Sequence, residues 1–224
     1  VKSRLQNYLG QDTCDHPFWL DPMATIFGYA DLLRVRLEAV RRCDPMVPIV
    51  AFSQARAALW AGDPEVALEI ALKARETLSH PWLDVAVNNA LVAMGQFETA
   101  ESESQLRHQD EFLAAYVEII RAAARGDRGH AEALRRAFLP HAEMTDFEKL
   151  QMHAVLGERE QANAVAARVD QRARMPMSLM LVTLWCNCGA PFDLEATPNF
   201  AAKLQEGELP WPPRSPIKFP LKNW

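Results

Sequence analysis

The regular spacing of six of the nine glycines constrains the fold more than any other feature of the sequence. Successive intervals between them are 34, 33, 31, 31 and 32 residues. A constant period of about 20 to 50 residues is typical of repeat architectures. A small or aliphatic residue also stands five positions after each glycine, which places all six units in register. The glycines are Gly28, Gly62, Gly95, Gly126, Gly157 and Gly189, and the residues five positions later are Leu33, Ala67, Ala100, Ala131, Ala162 and Leu194.

The composition and the turns both predict helices. The chain holds 34 alanines but only 13 threonines and isoleucines together, which favours helix over strand. A glycine can end one helix in the left-handed conformation that other residues resist. Asp63, Asp127 and Glu158 then place negative charge near the start of the next helix, where Pro64 also fits. The sequence therefore predicts an all-α chain, with helices at 50–61, 64–78, 83–94, 111–125, 131–139 and 147–156.

The repeats resemble the tetratricopeptide repeat family, whose signature has a glycine between two helices and an alanine five residues later. The unit at Gly62 follows this signature best, with Ala67, Ala71 and Ala74 in the second helix and Pro81 beyond it. The resemblance covers about four-fifths of the chain and implies a right-handed α–α superhelical solenoid of about five helical pairs. Several positions that are small in the family carry larger residues here: Asn88, Arg107, Ile119, Arg135, Phe138 and Leu150.

The sequence divides into a repeat domain at residues 25–208 and two ends of different character. Residues 1–24 are predicted to form an irregular cap, because the stretch GQDTCDHPFWLDP is loop-like.

Residues 209–224 hold five prolines, which prevent a regular helix. This tail has three basic and no acidic residues, whereas the remainder has 21 basic and 29 acidic residues. We expect the tail to pack on the solenoid, either on its open end or in its groove. The chain begins with Val1, which suggests a fragment of a longer protein.

The resemblance also implies a concave groove lined by the first helix of each unit. Arg56 and Asn89 hold equivalent positions in successive units, and polar groups among aromatic residues suit recognition of a peptide or a carboxylate. The alternative is that the aromatic residues are part of the core. The predicted groove residues are Phe52, Arg56, Trp60, Trp82, Asn89, Tyr116, Phe147 and Gln151, with Leu59, Val85, Leu113 and Ile120 beside them.

No catalytic motif is present in the sequence, so we expect neither enzymatic activity nor a cofactor. The motifs HExxH and GxSxG are absent, as are the glycine clusters that bind phosphates or dinucleotides. Cys14, His16, Cys186 and Cys188 could supply metal ligands, but they lack the paired spacing of structural zinc sites, so no metal is predicted. Four cysteines in a chain of this length fit reduced thiols better than a disulfide scaffold.

These features predict a non-enzymatic scaffold that binds a protein or peptide in the groove. The net charge of −5 argues against nucleic acid as a partner. No apolar run reaches about 18 residues, so we expect no membrane span and no membrane partner. The expected reduced thiols favour a cytoplasmic location, and an oxidising compartment stays open. The C-terminal segments TPNFAAKLQE and SPIKFPLK also resemble the repeat regions of bacterial multidomain regulatory proteins. Two other functions stay open: a small-molecule binder or enzyme built on a helical solenoid, and an oligomerisation domain that forms homo-oligomers.

Overall fold

The computed structural model describes residues 2–104, 110–138, 144–172, 181 and 192–207. These residues form helices joined by turns, and no strand occurs among them. The all-α prediction is therefore confirmed. The helices are α1 (Lys2–Leu9), α2 (Asp21–Ile26), α3 (Ala30–Cys43), α4 (Pro48–Ala61), α5 (Pro64–Arg75), α6 (Pro81–Ala93), α7 (Phe97–Ser102), α8 (Glu111–Ala124), α9 (Arg128–Phe138), α10 (Asp146–Val155), α11 (Arg159–Gln171) and α12 (Pro198–Glu206), with short 3₁₀ helices at Phe18–Leu20 and Leu194–Ala196.

The regularly spaced glycines end helices as predicted. Gly62 follows α4 with a φ of 89°, in the left-handed region where a side chain would be strained. Its amide donates to the carbonyl of Leu59, and the next amide, of Asp63, donates to that of Ala58. Four more of the six glycines share this positive φ: Gly28, Gly95, Gly126 and Gly157. The sixth, Gly189, lies outside the described residues.

The residue five positions after each of these five glycines is buried. Ala67 and Ala131 are 1% and 0% exposed, as the sequence predicts for positions where two helices cross closely. Ala100, Ala162 and Leu33 are equally buried at the equivalent positions. A small side chain there allows the second helix of a unit to approach the first.

Helices that follow each other in the chain pack against each other. Helix α4 contacts α3, α5 and α6, and α6 contacts α7 and α8 as well. Further along, α8 packs on α9, α10 on α11 and α11 on α12. The main buried cluster includes side chains from α4 and α5 through to α12, while a second cluster joins α8, α9 and α10. Helices α4 and α6 thus lie side by side.

The N-terminal segment is more ordered than the sequence predicts. Instead of an irregular cap over residues 1–24, two helices, α1 and α2, flank a loop at residues 10–17. Leu5, Tyr8 and Leu9 of α1 form a buried cluster with α2, α3 and Ala57 of α4. Burial of these three side chains explains why a helix forms there.

The prediction of reduced thiols is wrong for two of the four cysteines. Cys14 and Cys43 form a disulfide, with their Cα atoms 5.7 Å apart. The sequence could not reveal this pair, because the two residues are 29 positions apart and only the packing of the loop on α3 brings them together. Cys186, Cys188 and the Pro-rich tail at 209–224 lie outside the described residues.

Within the described part of the chain, no helix has the length and apolarity needed to cross a bilayer.

Candidate functional site

Three of the predicted groove residues form a stripe along one face of α4. Phe52, Arg56 and Trp60 are spaced by four residues, which places their side chains on neighbouring turns. The Arg56 Cζ atom lies 5.0 Å from the centre of the Phe52 ring and 4.6 Å from that of the Trp60 ring. Both distances are in the range of a cation–π contact. Trp60 itself is buried, so its indole supports Arg56 and offers no surface to a ligand.

A fourth predicted residue, Trp82, meets this stripe from the first turn of α6. The helix begins after His80, whose Nδ1 accepts a hydrogen bond from the Trp82 amide at 3.2 Å. The His80 ring lies 4.7 Å from the Trp82 ring, and the Phe52 ring lies 5.8 Å from it on the other helix. Trp82 is 40% exposed. We call Phe52, Arg56, Trp60 and Trp82 the aromatic cluster.

The positive charge of the aromatic cluster is matched by a buried carboxylate. Arg56 NH2 lies 3.5 Å from Asp21 Oδ2 at the start of α2, and Asp21 is completely buried. His16 Nε2 lies 3.1 Å from the same oxygen. Since Arg56 is already paired and its side chain is only 15% exposed, the geometry does not present it as a receptor for a ligand carboxylate. What the aromatic cluster exposes is chiefly the Trp82 indole and part of Phe52.

Sequence reasoning missed Asp21, although the glycine register contained a signal for it. Asp21 stands seven residues before Gly28, as Ala55 stands before Gly62 and Asn88 before Gly95. Ala55 and Asn88 are both buried at this position. An acidic residue there requires a buried cation or donor nearby, and the register could have pointed to Arg56 of the next unit.

Asn89 has a different environment from Arg56, despite its equivalent position. Its side-chain oxygen accepts a hydrogen bond from Asn88 Nδ2 at 3.2 Å, and Asn89 is half-buried. Asn88 is buried. The two amides thus hold each other in place on α6.

The remaining predicted residues lie further along the chain. Tyr116 packs with Val85 and Val117 where α6 meets α8. Phe147 packs against the main buried cluster at the start of α10, and Gln151 is half-buried one turn later. The structure therefore brings four of the eight predicted residues together and places the other four along α6, α8 and α10.

A cavity of about 450 Å³ opens beside His80, between the end of α5 and the start of α6. Arg75 and Asp84 form an ion pair at its wall, with 3.3 Å between Nε and Oδ1. Arg75 also lies 3.5 Å from Glu103. The charged groups of this cavity thus hold α5, α6 and the end of α7 together.

Among the described residues, no group of three or more potential metal ligands lies close enough to hold an ion.

Comparisons of the chain with protein-family models, with curated proteins and with solved structures found no match.

Proposed function

We propose that this chain is a protein- or peptide-binding module without enzymatic activity, built as a solenoid of about five helical pairs similar to tetratricopeptide repeats. The left-handed glycines and the buried residues five positions later support the repeat architecture. The side-by-side packing of α4, α6 and α8 supports a surface lined by the first helices. A solenoid uses such a continuous surface to hold an extended partner.

The observation that carries this proposal is the exposed Trp82 indole. Tryptophan is enriched among the residues that dominate binding energies, and here it is prepositioned between His80 and Phe52. Because Arg56 is neutralised by Asp21, the surface favours an apolar or aromatic side chain of the partner over a carboxylate. This differs from the carboxylate recognition that the sequence suggested.

Selection of peptides from a random display library tests the proposal. Peptides that bind the wild-type chain should bind the Trp82→Ala variant at least about fivefold more weakly, since truncation of a central tryptophan commonly costs more than 1 kcal/mol. Val35→Ala is the matched control, because Val35 is 65% exposed on α3, a helix that contributes no residue to the aromatic cluster. Equal losses in both variants, or no selected peptide at all, would contradict a binding role for the aromatic cluster.

An oligomerisation role is the second candidate, favoured by a different group of exposed apolar residues. Leu32 and Val35 stand three residues apart on one face of α3, and both are exposed, as is Met46 beyond the helix. Light scattering during size-exclusion chromatography distinguishes the two functions. A monomer over a wide concentration range removes the oligomer, whereas a dimer that persists at low concentration supports it.

Two broader predictions accompany the proposal. The first is that the module belongs to a larger bacterial regulatory protein, and the second is that it is cytoplasmic. A cytoplasmic location requires the Cys14–Cys43 disulfide to be transient or redox-sensing, because stable disulfides are rare in the cytosol. A thermal-shift screen against metabolites tests the remaining alternative of a small-molecule binder or enzyme, for which a reproducible stabilising hit is the expected sign.

A further inference from the structure

The loop at residues 10–17 is joined to α3 by a covalent bond at the surface. The disulfide links Cys14 in the loop to Cys43, the last residue of α3. Both cysteines are exposed. A thiol reductant can therefore reach the bond without unfolding the protein, since access is one of the factors that sets the rate of thiol–disulfide exchange.

Hydrogen bonds hold the same part of the loop on the same face of α3. Arg36 lies seven residues before Cys43, about two helical turns away, and is only 1% exposed. Its guanidinium donates to the carbonyl and hydroxyl oxygens of Thr13 and to the carbonyl oxygen of Asp15, the last at 2.6 Å. The residues on both sides of Cys14 are thus fixed to α3.

His16, the loop residue after Asp15, connects the part of the loop that is fixed to α3 with the aromatic cluster. His16 Nε2 lies 3.1 Å from Asp21 Oδ2, and Arg56 NH2 lies 3.5 Å from the same oxygen. Arg56 in turn stacks on the rings of Phe52 and Trp60. A displacement of the loop removes His16 from the carboxylate that positions Arg56.

We propose that the Cys14–Cys43 disulfide is a redox-sensitive latch, which keeps His16 on Asp21 and thereby orders Arg56 within the aromatic cluster. In the oxidised chain the loop is crosslinked to α3. In the reduced chain it is held by non-covalent contacts and opens more often, as segments with few buried contacts do. Opening disturbs the contact of His16 with Asp21 and, through it, the stacking of Arg56.

The latch is released by a dithiol reductant. One thiolate of the dithiol attacks a cysteine sulfur, so that a mixed disulfide forms and the other cysteine leaves as a thiolate. The second thiol of the reductant then attacks the mixed disulfide and frees the first cysteine. The protein gains two electrons and two protons as two thiols, and the reductant leaves as its own disulfide. This inference goes beyond the proposed binding function, and its test needs no ligand.

The test uses the chain with Cys186→Ser and Cys188→Ser, so that Cys14 and Cys43 are its only cysteines. Dithiothreitol should reduce the bond under native conditions, seen as a mass gain of two hydrogens. Amide exchange over residues 10–26 should then accelerate at least about tenfold, and the indole N–H signals of Trp60 and Trp82 should shift in proton–nitrogen spectra. Reoxidation should restore the original exchange rates and the original indole signals.

Two variants show whether the indole shifts come from loss of the contact between His16 and Asp21 or from general destabilisation. His16→Ala, with the disulfide intact, should reproduce the indole shifts of the reduced chain. Asp15→Ala should change neither readout, because the bond from Arg36 reaches the carbonyl oxygen of Asp15 and not its exposed side chain. The latch is overturned if excess dithiol leaves the bond intact, or if the reduced chain unfolds. It is also overturned if reduction accelerates exchange only at residues 10–17 while the indole signals stay fixed. None of these outcomes depends on whether Trp82 binds a peptide.

Discussion

At the scale of single residues, Ala67 shows why small side chains recur at this position of the repeat. It lies in the main buried cluster, where α5 packs on α4 and α6. We expect Ala67→Leu to lower the free energy of unfolding by about 1–3 kcal/mol, because the added atoms overpack the contact. Val66→Leu is the matched control, since the neighbouring Val66 is exposed and its replacement should change stability by less than about 0.5 kcal/mol. Urea unfolding followed by circular dichroism measures both, and equal stabilities for the two variants would contradict the register.

Tyr8 gives a prediction for alkaline pH. Burial raises the pKa of Tyr8 well above its ordinary value, and the negative charge of Asp21 raises it further. The phenol therefore ionises first in the unfolded chain, so its contribution to stability is present below about pH 10 and is lost as the pH rises further. We expect the free energy of unfolding to fall between about pH 9 and 11, and to fall less in Tyr8→Phe. Urea titrations at stepped pH test this against Tyr29→Phe; identical behaviour of the two variants would argue against Tyr8 as the cause.

At the scale of helices, most of the fold could be predicted because glycine and proline mark the boundaries. The predicted helix at 50–61 is Pro48–Ala61 in the structure, and the one at 111–125 is Glu111–Ala124. Proline also begins α5 and α6, where its fixed φ suits a first turn. Helices α1 and α2 were missed, since they lack a glycine at the expected interval before them and are stabilised by packing on α3 and α4.

Arg135 shows how a residue too large for the family pattern is accommodated. Its guanidinium donates to both carboxylate oxygens of Glu132, one turn earlier on α9, and to Glu158 at the turn between α10 and α11. The hydrogen bonds that Glu132 accepts from Arg135, with the one from Arg136, lower the pKa of Glu132. The position thus lies at a half-buried edge and not in the core. The sequence alone could not show this, because Glu158 is 23 residues away.

The start of α10 gives a prediction at the scale of one helix. The Thr145 hydroxyl accepts a hydrogen bond from the Glu148 amide, and the Glu148 carboxylate accepts one from the Thr145 amide at 2.6 Å. Thr145→Ala removes half of this capping box and should cost about 1 kcal/mol of stability. Glu148→Gln keeps an acceptor at the same place, so its effect should be smaller. Urea midpoints measure the difference, and a larger loss in Glu148→Gln would show that charge and not capping stabilises the helix start.

At the scale of the whole molecule, the glycine spacing predicted the turns between helices but not the contacts of the candidate site. The register predicted which side chains of α4 and α6 lie on the first helices, and the structure brings Phe52, Arg56 and Trp82 together there. The sequence analysis missed that Arg56 is neutralised, because it treated residues 1–24, which include Asp21 and His16, as an irregular cap. The turns that end α4 and α8 follow the glycine spacing, whereas contacts with the N-terminal segment depend on its individual packing.

The same segment supplies the last prediction, on global stability. The disulfide joins residues 29 positions apart and so reduces the conformational freedom of the unfolded chain. In the chain-entropy description, a closed loop of this length stabilises the folded state by about 3.5 kcal/mol. We expect Cys14→Ser/Cys43→Ser to lose about this amount in urea unfolding while its helix content at 25 °C stays close to that of the parent. Cys186→Ser/Cys188→Ser, which keeps the disulfide, is the control. If Cys14→Ser/Cys43→Ser and the control unfold at the same urea concentration under oxidising conditions, the crosslink does not stabilise the fold, whatever its effect on the aromatic cluster.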